Sequence, residues 1–275
     1  MDAIELLRKW PSWEKANAAT VLASPAWRMP VRFAGRDATL RMGDAPAVLD
    51  AIPLGISFDG EEHVLGIFDS EMFHDLHLLW DKRGALPDEI VLALVEKECG
   101  TLLQLLEDTV RKQLSVEGLK TDGAPFAGKM FVLDVDGRSL TFSLDVSPAM
   151  EIEFGKLEYL DPAHDSIRSL TRPAEAEYSV VPLTEDEFGS LEVGDFVIPP
   201  EDSVPRWTVE KPLDGQLHLY GAEGGTLSFA EMADDALPPV PECDSFCLVR
   251  FGRKCAVGTR SRVGDRMAVK VEGML

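Results

Sequence analysis

Lys129-Met130-Phe131-Val132-Leu133-Asp134-Val135-Asp136-Gly137-Arg138-Ser139-Leu140-Thr141-Phe142-Ser143-Leu144-Asp145-Val146 decides the fold class. Two strand-length runs flank Asp136-Gly137. An Asp-Gly pair between such runs is a strong signal for a tight antiparallel hairpin, because both residues accept a positive φ. The signal recurs at Asp59-Gly60, between Gly55-Ile56-Ser57-Phe58 and His63-Val64-Leu65-Gly66-Ile67-Phe68. A third pair, Val31-Arg32-Phe33 and Thr39-Leu40-Arg41-Met42, turns across Gly35-Arg36-Asp37. Hairpins of this kind build antiparallel sheets.

Between the Asp59-Gly60 and Asp136-Gly137 hairpins lies a helix, expected from about Pro87 to Leu114. Pro87 suits a first helical turn, and Asp88 and Glu89 suit its positive end. Val91, Leu94, Val95, Leu102, Leu105, Leu106 and Val110 recur at three- and four-residue steps. Arg111 and Lys112 are placed in the last turn, with Gly118 beyond it. Gly100, in mid-helix, is expected to mark a close crossing. Ahead of the strands, Leu6, Leu7, Trp10 and Trp13 have a loosely helical spacing that Pro11 interrupts, giving two short helices or a helix and an arm. The tryptophans read as core if buried and as a docking feature if exposed.

The character changes at 161–177, with Asp161-Pro162 and Arg172-Pro173, and the linker is placed there. The expected architecture is therefore α+β. An N-terminal mixed α/β domain with one long helix occupies 1–165, and an all-β domain occupies 176–275. In the latter, Thr184-x-x-Glu187 is a capping box that starts a short helix. Leu191 to Pro199 is a turn opening into an apolar strand. Gly221-Ala222-Glu223-Gly224-Gly225 reads as a hairpin turn. Ser245 to Phe251, Lys254 to Thr259 and Arg266 to Val271 read as three strands, turned at Gly252-Arg253 and at Arg262-Val263-Gly264-Asp265.

Composition narrows the function classes. The formal charge is −21 over 275 residues, which argues against nucleic acid and anionic membranes as main partners. Residues 175–242 hold 16 acidic side chains against Arg206 and Lys211, whereas 243–275 hold seven basic ones against three acidic ones. This is either a solvated acidic surface with a basic tail, or two segments that attract each other within one chain or between two. An acidic start, no apolar window long enough to span a bilayer and four cysteines lead to the expectation of a cytoplasmic protein with reduced thiols.

No catalytic pattern is present. The chain has no G-x-x-x-x-G-K-[ST] loop and no G-x-S-x-G elbow. His74 and His77 form at most half a metal site. Cys243, Cys247 and Cys255, with His218 as a fourth ligand, have an unusual zinc spacing, and free cysteine is commonly a small buried hydrophobe. No cofactor or metal is expected, and no enzymatic activity.

Four stretches carry a family resemblance. Pro182-Leu183-Thr184-Glu185-Asp186-Glu187-Phe188-Gly189-Ser190-Leu191-Glu192-Val193-Gly194-Asp195-Phe196-Val197-Ile198-Pro199 is similar to a family run of the form L-x-x-L-x-x-G-D followed by apolar residues, with Phe188 at the first leucine position. Cys247-Leu248-Val249-Arg250-Phe251-Gly252-Arg253-Lys254-Cys255-Ala256-Val257-Gly258 and Met267-Ala268-Val269-Lys270-Val271 are similar to the closing strands of the same module. Together they resemble a SPOA (surface presentation of antigens) domain. Ala85-Leu86-Pro87-Asp88-Glu89-Ile90, through Leu105-Leu106-Glu107, resembles the helix of the Q component of type III secretion cytoplasmic rings, relatives of the flagellar motor-switch proteins.

The resemblance implies a structural part of the cytosolic ring, or sorting platform. Its partners would be a second SPOA-domain chain or a second copy, the protein of the ATPase stalk, and a ring adaptor. It would reach a membrane only through protein partners. The family's Q components end in two SPOA domains, whereas only one is visible here, and 199–242 is long and acidic for the module.

The residues expected to carry pairing are Leu191, Val193, Gly194, Asp195, Phe196, Val197, Ile198, Arg260 and Arg262. Gly194 suits a sharp turn with φ > 0, and Asp195 caps such a turn. Phe196-Val197-Ile198 reads as a strand buried on both faces. A small β module gains core by sharing strands with a partner. The competing reading has Leu191, Val193, Phe196 and Ile198 fill an ordinary monomeric barrel. An acidic adaptor or chaperone-like binding protein is the alternative function.

Overall fold

Four two-residue turns set the strand registers. Ala34-Gly35, Asp59-Gly60, Asp136-Gly137 and Phe251-Gly252 all have positive φ at both positions, from 49° to 87°. That pattern matches the right-handed twist of paired strands. In two hairpins the turn falls earlier than the sequence reading places it. Arg36 and Arg253 already belong to strands, so Ala34 and Phe251 take the left-handed positions.

The computed structural model describes residues 2–44, 51–68, 70–81, 85–120 and 128–275. The chain divides into units Ala3–Ser166 and Ile167–Leu275. Among the described residues, no helix is long and apolar enough to cross a membrane.

The N-terminal unit begins with two short helices, α1 (Ala3–Arg8) and α2 (Ala18–Leu22), where Asn17 caps α2 through the Thr20 amide. Trp10 is fully buried and Trp13 half-buried. Strands β1 (Arg28–Phe33), β2 (Arg36–Met42), β3 (Ala51–Phe58), β4 (Glu61–Phe68), β5 (Leu114–Leu119), β6 (Lys129–Val135) and β7 (Arg138–Leu144) form one antiparallel sheet, ordered β1-β2-β6-β7-β4-β3-β5. Every residue of β3 is buried. The deciding hairpin lies at the middle of this sheet. Phe131 and Phe142 are direct cross-strand partners whose rings stack at 5.4 Å. Trp27 meets Phe131 edge-on at 6.0 Å, and its indole N–H donates to the Phe154 carbonyl at 2.7 Å. Such aromatic contacts add ~0.5–1.5 kcal/mol each beyond area burial.

Helices α3 (His74–Asp81), α4 (Asp88–Val110) and α5 (Pro148–Phe154) complete the unit. Helix α4 buries Val91, Val95, Cys99, Leu102, Leu105 and Leu106 along one side. Burial pushes the Cys99 thiol up to about 12, with Glu98 adding to the effect. The helix is shorter than expected. Arg111 is its cap, in the left-handed region at φ 58°, with its N–H bonded to the Glu107 carbonyl. The basic pair Arg111-Lys112 therefore lies past the last turn, and Gly118 sits within β5. Gly100 is exposed, and a Cβ there would meet nothing within 4 Å, so no close crossing explains it. The close approach is at Gly155, where a Cβ would lie 2.2 Å from the Ala18 carbonyl oxygen.

The C-terminal unit holds one antiparallel sheet, β8 (Thr171–Val181), β9 (Phe196–Val197), β10 (Arg206–Thr208), β11 (Leu217–Ser228), β12 (Ser245–Arg250), β13 (Arg253–Val263) and β14 (Arg266–Met274). Its order is β10-β8-β11-β12-β13-β14-β9. Tyr178, Leu217, Leu219, Phe246, Leu248, Val269 and Val271 pack its core. The stretch 161–177 is not a loose linker. It contains α6 (Asp165–Arg168), and residues 171–177 form the first half of β8, paired with β11 and β10. Nor is Gly221–Gly225 a hairpin turn. It lies inside β11, where the register slips between Tyr220 and Gly224 in a bulge. Helices α7 (Glu185–Gly189) and α8 (Phe229–Ala233) each start at a capping box, Thr184 with Glu187 and Ser228 with Glu231.

Two measurements follow from these placements. Gly100→Ala should raise the stability of the N-terminal unit by about 0.5–1 kcal/mol, because only the helix-propensity penalty is removed. Gly155→Ala should lower it by roughly 1–3 kcal/mol, because backbone must move. Thermal unfolding of both variants, with opposite signs, checks the assignment. Limited proteolysis should cut first between Pro162 and Leu170, leaving a fragment of about 105 residues, since 171–177 is held in a ladder. A first cut inside α4 would contradict the helix.

Candidate functional site

Local chemistry builds the segment from Thr184 to Ile198. The Thr184 hydroxyl accepts from the Glu187 amide, and the Glu187 carboxylate accepts from the Thr184 amide, which fixes α7. The chain then turns at Gly194, whose φ of +102° disfavours a side chain. Asp195 closes this turn by accepting from the Glu192 amide at 2.8 Å. Gly194 donates to the Val271 carbonyl at 2.8 Å, and Val271 donates to the Asp195 carbonyl at 2.9 Å. These bonds lead β9 onto β14, with Val197 opposite Val269 and Phe196 opposite Lys270.

β9 is thus the last strand of its sheet. Among the described residues, no strand pairs with its other edge. It differs from the expected strand buried on both faces. Val197 is 3% exposed and belongs to the core, whereas Phe196 is 47% exposed. Val193 is 62% exposed, and Leu191 and Ile198 are half-buried. The physical reason is that β9 has a packed interior on one side only, so a strand of two residues buries every other side chain. Beside it lies a groove of about 370 Å³, lined by Val181, Leu183, Leu191, Phe196, Val197 and Ile198, with Glu187 and Arg266 as its charged members.

Arg260 and Arg262 lie on β13, opposite Val269 and Met267 of β14. A second hollow of about 390 Å³ includes Tyr178, Arg260, Arg266 and Met267. The two hollows share Pro200 and Arg266; of the expected pairing residues, Leu191, Phe196, Val197 and Ile198 line one and Arg260 the other, whereas Val193, Gly194, Asp195 and Arg262 line neither. Arg262 is exposed and makes no ion pair among the described residues. The charge split is partly resolved within the chain. Arg260 reaches Glu242 at 3.6 Å, and Arg266 reaches Glu201 at 3.7 Å. Arg250 grips Glu185 with both terminal nitrogens and stands 4.4 Å above the Phe188 ring. Its hydrogen bond holds the Glu185 carboxyl below its ordinary range.

A second constellation was not recognised as a cluster in the sequence. On β11, His218 Nδ1 is 2.6 Å from Glu177 Oε1, and Nε2 is 2.7 Å from Asp214 Oδ1. Arg206 donates from Nε to the other oxygen of Glu177 at 3.0 Å. The hydrogen bond from His218 holds Asp214 below the usual carboxylate range. A histidine acting as a general base needs one nitrogen facing substrate. Here both are engaged, as they would have to be released to bind a metal. The cysteines do not surround this imidazole as one cluster. Cys243 and Cys255 pack with the main core, while Cys247 packs with Tyr220 and Val249. His74 is exposed and His77 buried on α3.

No protein-family model matches the chain, and no curated protein matches it.

The two neighbouring residues of β9 should respond differently to substitution. Val197→Asp places a charge in the core and should abolish the cooperative thermal transition of the C-terminal unit. Val197→Ala should cost about 1–3 kcal/mol. Phe196→Asp should leave the transition nearly unchanged when the chain is dilute. Circular dichroism melts of the three variants separate these outcomes.

Proposed function

We propose that this chain is a non-catalytic assembly protein of a type III secretion cytoplasmic ring, pairing through the β9 end of a SPOA-type C-terminal module. The second module comes from another copy or from a separate SPOA chain. In this reading the stalk protein of the export ATPase and a ring adaptor are further partners, and the protein works in the cytoplasm.

One observation carries the proposal: β9 ends its sheet with a half-exposed Phe196 beside a groove whose lining is mostly apolar side chains. A sheet edge presents unpaired N–H and C=O groups that accept another chain. Two residues provide few such bonds, so side chains must supply most of the association energy. Covering the exposed part of Phe196 contributes roughly 1 kcal/mol per copy. The resemblance supplies the identity of the partner. It rests on the Val193-Gly194-Asp195 turn and on the β12–β14 strands, where Arg262, exposed and without an ion pair among the described residues, favours an acidic neighbour.

Light scattering on the full chain tests the reading, alone and mixed with a SPOA-domain protein. The expected result is a dimer or mixed complex for the native sequence. Phe196→Asp should give a monomer with an unchanged melt. A native chain that stays monomeric at high concentration and ignores the SPOA protein would overturn ring assembly and favour the acidic adaptor.

A further inference from the structure

We propose that the outer edge of β13 at residues 260–263 is a docking strip for an extended, acidic segment of a partner protein. The segment adds a strand in the line of β12 and sets carboxylates against Arg260 and Arg262. The inference does not rest on the assembly role, whose contact is β9, because β14 lies between β9 and β13.

The edge is open because β12 does not reach along it. The ladder between the two strands starts at Ser245 opposite Thr259, and one further bond runs from the Arg260 amide to the Asp244 carbonyl at 2.7 Å. The chain before Asp244 leaves that line. Cys243 is buried in the core, and the Pro241 carbonyl accepts from the Tyr178 hydroxyl on β8. Meanwhile β13 runs on to Val263 against β14, with Arg262 opposite Met267 and Val263 opposite Arg266. Among the described residues, no strand pairs with its outer edge beyond Thr259. Backbone groups of an antiparallel strand point alternately to its two edges. The Arg260 amide points outward, so the Arg262 amide and carbonyl do too, and there they have no ladder partner.

The side chains decide what the strip accepts. Alternate residues of a strand share a face, which sets Arg260 and Arg262 side by side. With Ser261 and Met267 they line a hollow of about 450 Å³. Arg260 already shows the contact in miniature. Glu242 reaches it at 3.6 Å, with the Glu242 side chain 91% exposed. So exposed a pair is weak, and a partner's carboxylate can replace it. Arg262 has no ion pair among the described residues.

Charged side chains at a sheet edge ordinarily guard it against pairing. A guard of a single sign selects instead. It repels the same edge of a second copy and admits a strand with acids at every other position, because opposite charges facing each other across strands stabilise the pair. The extended partner gains backbone bonds from the open edge and specificity from the arginines. A nucleic acid fits less well, since the whole chain carries a charge of −21.

The test uses the full chain and two end-blocked peptides of about eight residues, long enough for one strand. One alternates Glu with Thr, the other Gln with Thr. Titration followed by nuclear magnetic resonance should give a Kd below about 1 mM for the Glu peptide. The Gln peptide should bind about tenfold more weakly or worse. Arg260→Gln combined with Arg262→Gln should weaken the Glu peptide by a similar factor, whereas Arg253→Gln with Lys254→Gln, at the other end of β13, should not. All four side chains are exposed, and thermal melts check that both variants fold. In the native chain, saturating Glu peptide should slow amide exchange at Arg262 by about tenfold or more, which attraction between charges without strand addition would not do. Phe196→Asp should bind the peptide as the native chain does, which separates this strip from the β9 contact. The proposal is overturned by a Glu peptide that does not bind at millimolar concentration, by equal binding of the Gln peptide, or by equal affinity in the Arg260 and Arg262 variant. An Arg262 amide that the peptide leaves unprotected, loss of binding in Phe196→Asp, or tighter binding of a single-stranded oligonucleotide at the same residues would overturn it as well.

Discussion

Both sheets depend on two-residue turns that force a left-handed backbone at both positions. A slip of one residue would send every inward side chain to the opposite face, so a turn that permits one register protects the whole core. At Asp136-Gly137 this restriction puts Phe131 directly opposite Phe142. That pair in turn gives Trp27 and Phe154 a surface to close on. At Phe251-Gly252 the same device aligns β12 with β13, although a phenylalanine bears the unfavourable φ. The surrounding contacts compensate. Arg250 lies 5.3 Å from the Phe251 ring, and Asp214 takes the Phe251 amide.

Sequence and structure agree best where a local rule is sufficient. Both Asp-Gly hairpins, the capping box at Thr184 and the Gly194-Asp195 turn occur as read, because each needs only neighbours in the chain. The long helix was legible from its periodicity, but its end was not. Arg111 takes a position usually filled by glycine, and nothing about an arginine announces that. Gly221–Gly225 misled for the opposite reason. Glycines usually mark turns, but here they permit a bulge in a long strand, with Gly225 leaving room for the Trp207 ring. Gly100 carries no packing message at all.

The candidate site was half legible. Residues 196–197 pair with β14, and the arginines of β13 pair with the other edge of that strand. An apolar run of three residues, however, cannot say which of its members faces inward. That depends on β9 lying at an edge, which follows from long-range pairing with β14. The His218 constellation was hidden for a similar reason. Its buried partner Glu177 is 41 residues away, and the arrangement exists only once β8 and β11 are paired.

Cys99 gives the N-terminal unit a built-in reporter. A thiol that stays protonated inside α4 does not react with alkylating reagents, because the thiolate is the nucleophile. Its labelling must wait until the helix opens and the side chain meets water. The rate of labelling at this one sulfur, read apart from Cys243, Cys247 and Cys255, would therefore report the opening of α4.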